Sequence, residues 1–299
     1  MLHALLLCIT LVSASAYAVT SEPTTAEPIA TGLRFSILKT AEADVLEGMT
    51  YAGGSFFKKT TLNHIAVIIE HPQGSLLFDT GLGRQIDTQY RSDMPFWAKP
   101  FLTYNNVNPA IDQLQKEGVT PPERIILSHS HWDHASGVVD FPNAEIWLPQ
   151  AEQQFIANST APAVLHSQLS PDTIQWHPIE FDSEAYENFD SSLDLFGDKS
   201  AVLVPLPGHS PGSVGLFLTT RTGGRYFFIG DLIWNANALA TQAPKFWAAR
   251  MIVDHDAQRA AESLAQVVGS QSQLPRLVIV PAHDQSVHDS LEYFPNWVN

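Results

Sequence analysis

Three histidines and an aspartate lie within the six consecutive positions from His129 to His134, in the stretch LSHSHWDHASG. The whole chain of 299 residues contains only 12 histidines, so a quarter of them are concentrated here. Imidazoles and a carboxylate packed this closely repel one another when charged and compete for partners when neutral, whereas a shared cation satisfies all of them. We therefore interpret the stretch as part of a metal site rather than as a polar surface loop.

Three further candidate ligands stand singly, each shortly after a strand-like run. They are His209 in LPGHSPGS, Asp231 after RYFFIG, and His283 in PAHD. Each alone is more often a turn residue than a ligand, but the loops that follow strands are where sheets present catalytic groups. The only cysteine, Cys8, lies in an N-terminal apolar run. Any metal must therefore be held by nitrogen and oxygen atoms.

The elements that would position these residues are mostly strands, with helices between them. Strand-like runs cover Leu33–Lys39, Ile65–Glu70, Ser75–Phe78, Arg124–Ser128, Ala201–Leu206, Val214–Thr219, Tyr226–Ile229 and Leu277–Val280. Helical spacing of apolar residues occurs at Ala110–Glu117 and between Ala257 and Val268. The pattern predicts two sheets packed face to face with helices outside, in one domain that covers residues 32–299.

The N-terminal region has the features of a secretory signal. Residues 1–18 contain a short apolar run, Ala4 to Val12, followed by an A-x-A cleavage site at Ala16 to Ala18. Residues 19–31, rich in Thr, Pro and Glu, predict a disordered lead-in. We therefore expect a periplasmic or secreted protein with no stable membrane insertion after signal cleavage.

Taken in order, the motifs resemble those of the metallo-β-lactamase superfamily. HSHWDH matches the H-x-H-x-D-H signature, FDTG at Phe78 to Gly81 matches the strand and turn before it, and PGHSPGS, IGD and PAHD match the later motifs. The resemblance spans Leu33 to Val298 and implies an α+β fold, a four-layer αββα sandwich with a binuclear metal site at one edge. Its implied ligands are His129, His131 and His209 for one metal, Asp133, His134 and His283 for the other, Asp231 as the bridge, and Asp79 as a residue that orients ligands.

The chemistry of these residue types agrees with the implied site. Three imidazoles, or two imidazoles and a carboxylate, leave each metal coordinatively open, as catalysis requires. A water shared by two such ions should ionise near neutral pH, because its pKa falls from ~15.7 to about 7. We expect a metal-bridging hydroxide as the nucleophile, with Asp133 positioning it and Asp231 joining the two ions. Two divalent ions per chain are expected, zinc by default, with iron, manganese or cobalt as alternatives.

Three other functional classes fit the residues less well. Gly208 to Gly212 satisfies the serine-hydrolase pattern G-x-S-x-G, which requires a helix directly after the serine. A strand-like run, Val214–Thr219, follows instead, so Ser210 is not expected to be a nucleophile. A metal-binding module without turnover would typically have lost ligands, and none is lost in this chain. The net charge of -15 argues against a nucleic-acid partner.

Within the superfamily, the residues favour a small-molecule hydrolase. A thiolate-using β-lactamase would need a cysteine ligand, and glyoxalase II-like thioesterases add a helical C-terminal domain. What remains resembles the acyl-homoserine-lactone lactonases and the methyl parathion hydrolases. We therefore expect a small apolar ester-type substrate, a lactone first, with an organophosphate ester or a thioester as the alternative.

Four aromatic residues are expected to line the substrate pocket, namely Phe96, Trp97, Trp234 and Phe246. The loop that carries Phe96 and Trp97 could instead form a homodimer contact. Trp234 stands three residues after Asp231, where many of the lactonases carry a Tyr that polarises the ester carbonyl. Since an indole has no phenol group, the metals would have to supply that polarisation in this protein.

Overall fold

The computed structural model describes residues 32–169 and 172–299. The expected signal peptide, residues 1–18, and the lead-in, residues 19–31, lie outside the described residues. Within the described ranges, no helix combines the length and the apolar character needed to cross a membrane.

Within the described residues, eleven strands form two mixed sheets. The first sheet has the order β1-β2-β3-β4-β5-β6, antiparallel over its first three strands and parallel from β3 to β6. Its strands are β1 (Arg34–Leu46), β2 (Lys59–His71), β3 (Gly74–Phe78), β4 (Arg124–Ile126), β5 (Glu145–Pro149) and β6 (Gln175–Ile179). A hairpin turn joins β2 and β3, since His71 pairs with Gly74.

The second sheet has the order β11-β10-β9-β8-β7, with β10 and β11 parallel and the other pairs antiparallel. Its strands are β7 (Leu193–Asp194), β8 (Ala201–Pro205), β9 (Val214–Thr219), β10 (Arg225–Phe228) and β11 (Val278–Val280). Because β9 is antiparallel to both of its neighbours, β8, β10 and β11 all run in the same direction.

Helices accompany both sheets. They are α1 (Ile86–Asp93), α2 (Ala110–Lys116), α3 (Trp132–Ala135), α4 (Gln150–Asn158), α5 (His166–Leu169), α6 (Trp247–Val253), α7 (Ala257–Gln273) and α8 (Gln285–His288). Short 3₁₀ turns occur at Glu47–Met49, Val138–Asp140 and Ala236–Thr241. Asp256 caps the N-terminus of α7, the longest helix in the described part of the chain, by accepting hydrogen bonds from the backbone N–H groups of Gln258 and Arg259.

Alternation along the strands builds the layers of the sandwich. In β2, Val67 and Ile69 pack into the cluster between the two sheets, whereas Ala66 and Ile68 pack on the opposite face with residues of α2. Successive side chains of a strand point to opposite faces, and both faces of this strand are buried, which explains its unbroken apolar run. The outer face of the second sheet packs against α7. The expected sandwich is confirmed.

The strand ends bring the candidate ligands to one edge of the sandwich. β8, β10 and β11 end at the same edge of the second sheet, and His209, Asp231 and His283 follow them within four residues. The loop after β4 reaches this edge as well, because the backbone N–H of Val214 donates to the carbonyl oxygen of Ser128 over 2.8 Å. The two halves of the predicted site therefore meet where the sheets meet.

Candidate metal centre

Three buried imidazoles form the first half of the centre. His129, His131 and His209 have ring centroids 4.4 to 4.6 Å apart, and each contributes a ligand atom within 4.8 Å of the others. Their Nε2 atoms are buried and have no hydrogen-bond partner in the structure. Unpartnered polar atoms are costly in a protein interior, and three of them pointing together fit a cation with nitrogen ligands.

The surroundings of these rings keep them neutral. Burial and the neighbouring Lys245 hold the pKa of His209 well below its ordinary range, and burial likewise lowers the pKa of His129. Burial lowers the pKa of His131 to about 4. A neutral imidazole is the form that binds metal. On His209, Nδ1 lies 2.8 Å from Asp254 Oδ1 and donates to it, which leaves the Nε2 lone pair facing inward.

The second half combines carboxylates and imidazoles. His283 Nε2 lies 3.4 Å from Asp133 Oδ2, and the Nε2 atoms of His134 and His283 lie 3.1 and 3.0 Å from Asp231 Oδ1. The other oxygen of Asp231 lies 3.4 Å from His209 Nε2. Asp231 therefore contacts both halves, as a bridging ligand must.

The carboxylates and imidazoles of the second half shift one another's pKa values. Burial opposes ionisation, but His283 and His134 still hold the pKa of Asp231 well below its usual value. Conversely, despite burial, the fields of Asp231 and Asp79 raise the pKa of His134 well above its ordinary value, and Asp231 raises that of His283. Without a cation, protons on these rings compensate the carboxylates. A metal ion would replace those protons.

Asp79 lies behind the candidate ligands. Its Oδ2 accepts a hydrogen bond from His134 Nδ1 over 2.8 Å, and its Oδ1 accepts one from the backbone N–H of Ser128 over 2.6 Å. This fixes the His134 ring with Nε2 directed at Asp231. His283 is oriented in the same way, since its Nδ1 lies 2.7 Å from the carbonyl oxygen of Asn63.

Three residues of the centre escape prediction from sequence, and a fourth, Asp254, is indicated only as part of a run, Asp254 to Asp256, that could contact the ligands. His64 lies in an apolar strand, which suggests a structural role. Its Nδ1 nevertheless lies 3.2 Å from Asp133 Oδ2, and His64, Asp133 and His283 each place a potential ligand atom within 4.8 Å of the others. Glu152 and Lys245 carry no local motif. In the run Asp254 to Asp256, the side chain that reaches a ligand is that of Asp254, whereas His255 contributes a backbone N–H to the His209 carbonyl.

Lys245 is a buried cation beside the first half of the centre. Its side chain is fully buried, and its Nζ donates to Asp254 Oδ1 over 2.6 Å and to the Leu232 carbonyl over 3.3 Å. Lys245 precedes α6 by two residues, and Asp254 directly follows the last residue of α6, Val253. The ion pair therefore joins both ends of this helix to His209.

A cavity of about 220 Å³ opens beside the second half of the centre. Asp133 and His283 lie in its wall with His64, and most of the remaining wall is apolar, with Leu62, Phe101, Leu102, Trp132, Trp234, Phe246, Ala248, Ala249, Ile252 and Val253 among its residues. The side chain of Asp133 is 12% exposed, whereas those of His134, Asp231 and His283 are 3 to 4% exposed. Within this half, Asp133 is therefore the candidate ligand most open to the cavity.

The expected pocket residues divide into two groups. Trp234 and Phe246 lie in the cavity wall, but Phe96 and Trp97 do not, and they are 85% and 47% exposed. The reason is the packing of their loop, whose buried side chains are Met94 and Ala98. The indole Nε1 of Trp234 donates to Asp231 Oδ2 over 2.7 Å, so it positions the candidate bridge.

The surroundings of Ser210 differ from those of a catalytic serine nucleophile. Its hydroxyl is buried and donates to Glu152 Oε2 over 2.6 Å, and Ser213 Oγ lies 2.7 Å away. The serine is followed by strand β9 rather than by a helix. In the described part of the chain, no histidine is a hydrogen-bond partner of this hydroxyl. Activation by a neighbouring base is therefore not provided.

The opposite pKa shifts predict a stepwise loss of metal on acidification. A lowered imidazole pKa means that protons compete with the metal only at low pH, whereas a raised pKa means that they compete near neutrality. If each half holds one ion, an ion at His134 and His283 should therefore leave before an ion at His129, His131 and His209. Dialysis of the zinc-loaded protein at steps from about pH 7.5 to about pH 4.5, around the ordinary histidine pKa, followed by elemental analysis, should show two steps. Simultaneous release of both ions would contradict this.

Comparison with known proteins agrees with this geometry. The model of the metallo-beta-lactamase superfamily matches residues 60–283. The N-acyl homoserine lactonase AttM of Azorhizobium caulinodans is 22% identical over 244 residues, 77% of this chain and 85% of that protein. A probable metallo-hydrolase of Mycobacterium tuberculosis is 27% identical over 238 residues, 74% of each chain.

Solved structures share the fold at low sequence identity. A mutant of B. thuringiensis AiiA with N-decanoyl-L-homoserine bound at the active site has a TM-score of 0.72 and 19% identity, covering 89% of this chain and 98% of that one. AidC, described as a dizinc quorum-quenching lactonase, has a TM-score of 0.58 and 18% identity, with 89% of each chain covered. The chain thus belongs to the metallo-beta-lactamase superfamily and is a metal-dependent hydrolase.

Proposed function

We propose that the chain is an exported, binuclear metallohydrolase that opens a small, uncharged, apolar ester, with a lactone as the first candidate. The observation that carries this proposal is the apolar cavity that opens directly on Asp133 and His283. Two divalent cations held by the seven candidate ligands would supply Lewis acidity and a water acidic enough to attack at neutral pH. Zinc is the first candidate for both ions.

The residues around the centre would orient the reacting groups. Asp133 is ionised, because His134 and the close approach of His64, whose Nδ1 lies 3.2 Å from Oδ2, hold its pKa below the usual range despite burial. Its ionised carboxylate can therefore accept a hydrogen bond at the cavity wall and would position the attacking water. The Trp234 N–H is engaged by Asp231 and is not free to hold the carbonyl oxygen. The apolar wall excludes water from the side where the substrate chain would lie.

The cavity wall also limits the substrate. It has no lysine or arginine among its described residues, so away from the metal centre no cationic side chain of the wall would compensate an anionic substrate. The names of the relatives favour a lactone, since AttM is an N-acyl homoserine lactonase and the AiiA structure holds N-decanoyl-L-homoserine, the ring-opened form of such a lactone. A neutral acyl chain beside a lactone ring fits the wall that this chain provides.

Two other esters remain candidates. A neutral phosphotriester would satisfy the same wall and the same centre. A thioester is favoured less, although a hydroxyacylglutathione hydrolase of Vibrio campbellii is 30% identical over 135 residues, 44% of this chain and 40% of that protein. A glutathione thioester carries carboxylates, and the described cavity wall has no lysine or arginine side chain to pair with them.

Export and self-association are further parts of the proposal. Export is supported by the pattern of residues 1–18, which makes a periplasmic or secreted location the expectation. A homodimer contact is supported by the exposed aromatic residues Phe96 and Trp97. Exposed aromatic side chains of this kind are enriched at protein interfaces.

The proposed function is tested with chain from residue 19 onward, purified and loaded with zinc. We expect about two zinc ions per chain, as in other two-metal hydrolases. Hydrolysis should be fastest with acyl lactones in a panel that also contains phosphotriesters, glutathione thioesters and β-lactams. Chelation should abolish hydrolysis, and added zinc should restore it. Absence of bound metal, or activity unaffected by chelation, would contradict the proposal. If phosphotriesters were hydrolysed fastest, the proposed substrate would be a phosphotriester instead of a lactone.

A further inference from the structure

Glu152 is a buried carboxylate outside the set of candidate ligands. It lies in the first turn of α4, and its side chain has no exposed surface. Within residues 32–169 and 172–299, no lysine, arginine or histidine forms an ion pair with it. A carboxylate taken out of water without a cation must be compensated by hydrogen bonds.

Four donors compensate Glu152, and all of them come from two loops. Oε1 accepts hydrogen bonds from the backbone N–H and the hydroxyl of Ser130, over 2.8 and 2.6 Å. Oε2 accepts hydrogen bonds from the Ser210 hydroxyl and the backbone N–H of Gly212, over 2.6 and 2.9 Å. Each carboxylate oxygen therefore holds one loop. Hydrogen bonds to an ionised acceptor are short and strong.

These two loops carry the three imidazoles of the first half of the centre. Ser130 lies between His129 and His131, and Ser210 directly follows His209. The rings of His131 and His209, one from each loop, have centroids 4.4 Å apart. A carboxylate that spans the loops at the neighbouring residues fixes the distance between the imidazoles.

The sequence around Ser210 is adapted to this approach of α4. A Cβ added at Gly212 would lie 2.5 Å from the backbone nitrogen of Glu152, so only glycine lets the helix come this close. The G-x-S-x-G pattern that imitates a serine hydrolase thus has a different physical basis in this fold. Its serine is a hydrogen-bond donor to Glu152, and its last glycine makes room for the same residue.

We propose that Glu152 is a positioning residue that sets the spacing of His129, His131 and His209 and thereby the metal affinity of the first half of the centre. It does not contact the metal. The inference rests on the proposed function only in requiring that these histidines bind a metal ion. Loss of a residue that orients metal ligands typically weakens metal binding by about 10- to 100-fold.

The test compares zinc binding by Glu152→Gln, Glu152→Asp and the unchanged protein. The amide of Gln presents a donor where two donors already point, so one loop is released. The shorter Asp keeps the negative charge but cannot span both loops. Both variants should bind the zinc ion of the first half, the more tightly held of the two in the unchanged protein, about 10- to 100-fold less tightly in chelator competition. Cobalt-loaded protein should show an altered visible spectrum, since the geometry of the three nitrogen ligands changes.

A second variant and a control separate positioning from folding. Ser130→Ala combined with Ser210→Ala removes two of the four hydrogen bonds and keeps the carboxylate, so it tests the same idea if Glu152→Gln does not fold. Asp194→Asn is the control. Asp194 accepts hydrogen bonds from the backbone N–H groups of Phe196, Gly197 and Lys199, in a loop that carries no candidate ligand. Its zinc affinity should equal that of the unchanged protein.

Each outcome has a defined meaning. Weaker zinc binding by folded Glu152 variants or by the double serine variant supports the inference. Unchanged zinc affinity together with a lowered melting temperature of the metal-free protein would make Glu152 a purely structural residue and overturn it. Wild-type affinity in Glu152→Asp would assign the effect to charge instead of position and overturn it as well. Absence of zinc binding by the unchanged protein would instead contradict the proposed function.

Discussion

His209→Ala is expected to lose nearly all hydrolytic activity and the tightly bound metal of the first half of the centre. The substitution removes one of three nitrogen donors and releases Asp254, whose carboxylate then keeps only Lys245 as a close partner. The loss of activity should exceed the roughly 10- to 100-fold cost of removing a residue that only orients a ligand. Elemental analysis and initial rates on the same preparation measure both effects.

Ser210→Ala is the matched control for this prediction, since the two residues are adjacent and both are buried. The serine variant loses one hydrogen bond to Glu152 and keeps every candidate ligand, so most activity and metal should remain. A serine variant without activity but with full metal content would show that hydrolysis proceeds through the serine hydroxyl. Such a result would contradict the proposed metal-dependent mechanism.

Phe246→Ala should chiefly raise KM and leave the metal content unchanged. Phe246 lies in the cavity wall and is not a ligand, so its removal weakens ground state and transition state alike. The loss of such an apolar contact costs ~1–3 kcal/mol, roughly 10- to 200-fold in discrimination. Rates measured across lactones of increasing acyl length should show the largest penalty for the longest chains.

Phe96→Ala is the control on the neighbouring surface. Phe96 is 85% exposed and does not line the cavity, so its KM should stay that of the unchanged protein. If Phe96 belongs to a homodimer contact, the molar mass in solution should fall while the kinetics persist. A raised KM in Phe96→Ala with a normal KM in Phe246→Ala would show that the substrate lies outside the described cavity.

The candidate ligands could be located from sequence because their signal is local. Four of them share one short motif, and the other three follow strands whose apolar runs are easy to recognise. Glu152 and Lys245 could not be located in this way, and Asp254 could be located only as one member of the run Asp254 to Asp256. Glu152 acts on Ser210, which is 58 residues away, and Lys245 acts on His209, which is 36 residues away. Such contacts arise from the packing of helices on loops and leave no pattern along the chain.

The sandwich itself was predictable where strands are buried on both faces and less so at its margins. The inner strands β2, β8 and β9 have continuous apolar runs. These runs predict the bounds of β8 and β9 to within one residue, whereas for β2 they predict only its second half. The marginal strand β6, with the sequence QWHPI, is largely exposed and has no apolar alternation. Its position follows from pairing with β5, which a pattern of single residues does not encode.

The ion pair between Lys245 and Asp254 has a consequence for how this enzyme can change over evolutionary time. It fastens α6 at both ends, one end next to His209, while Ala248, Ala249 and Ile252 between the ends face the cavity. Mutations at these three positions can widen, narrow or lengthen the cavity while the fastened ends keep the ligand histidine in place. As long as Lys245 and Asp254 are retained, substitutions in α6 can therefore change which substrates fit the cavity without displacing the metal ligand His209.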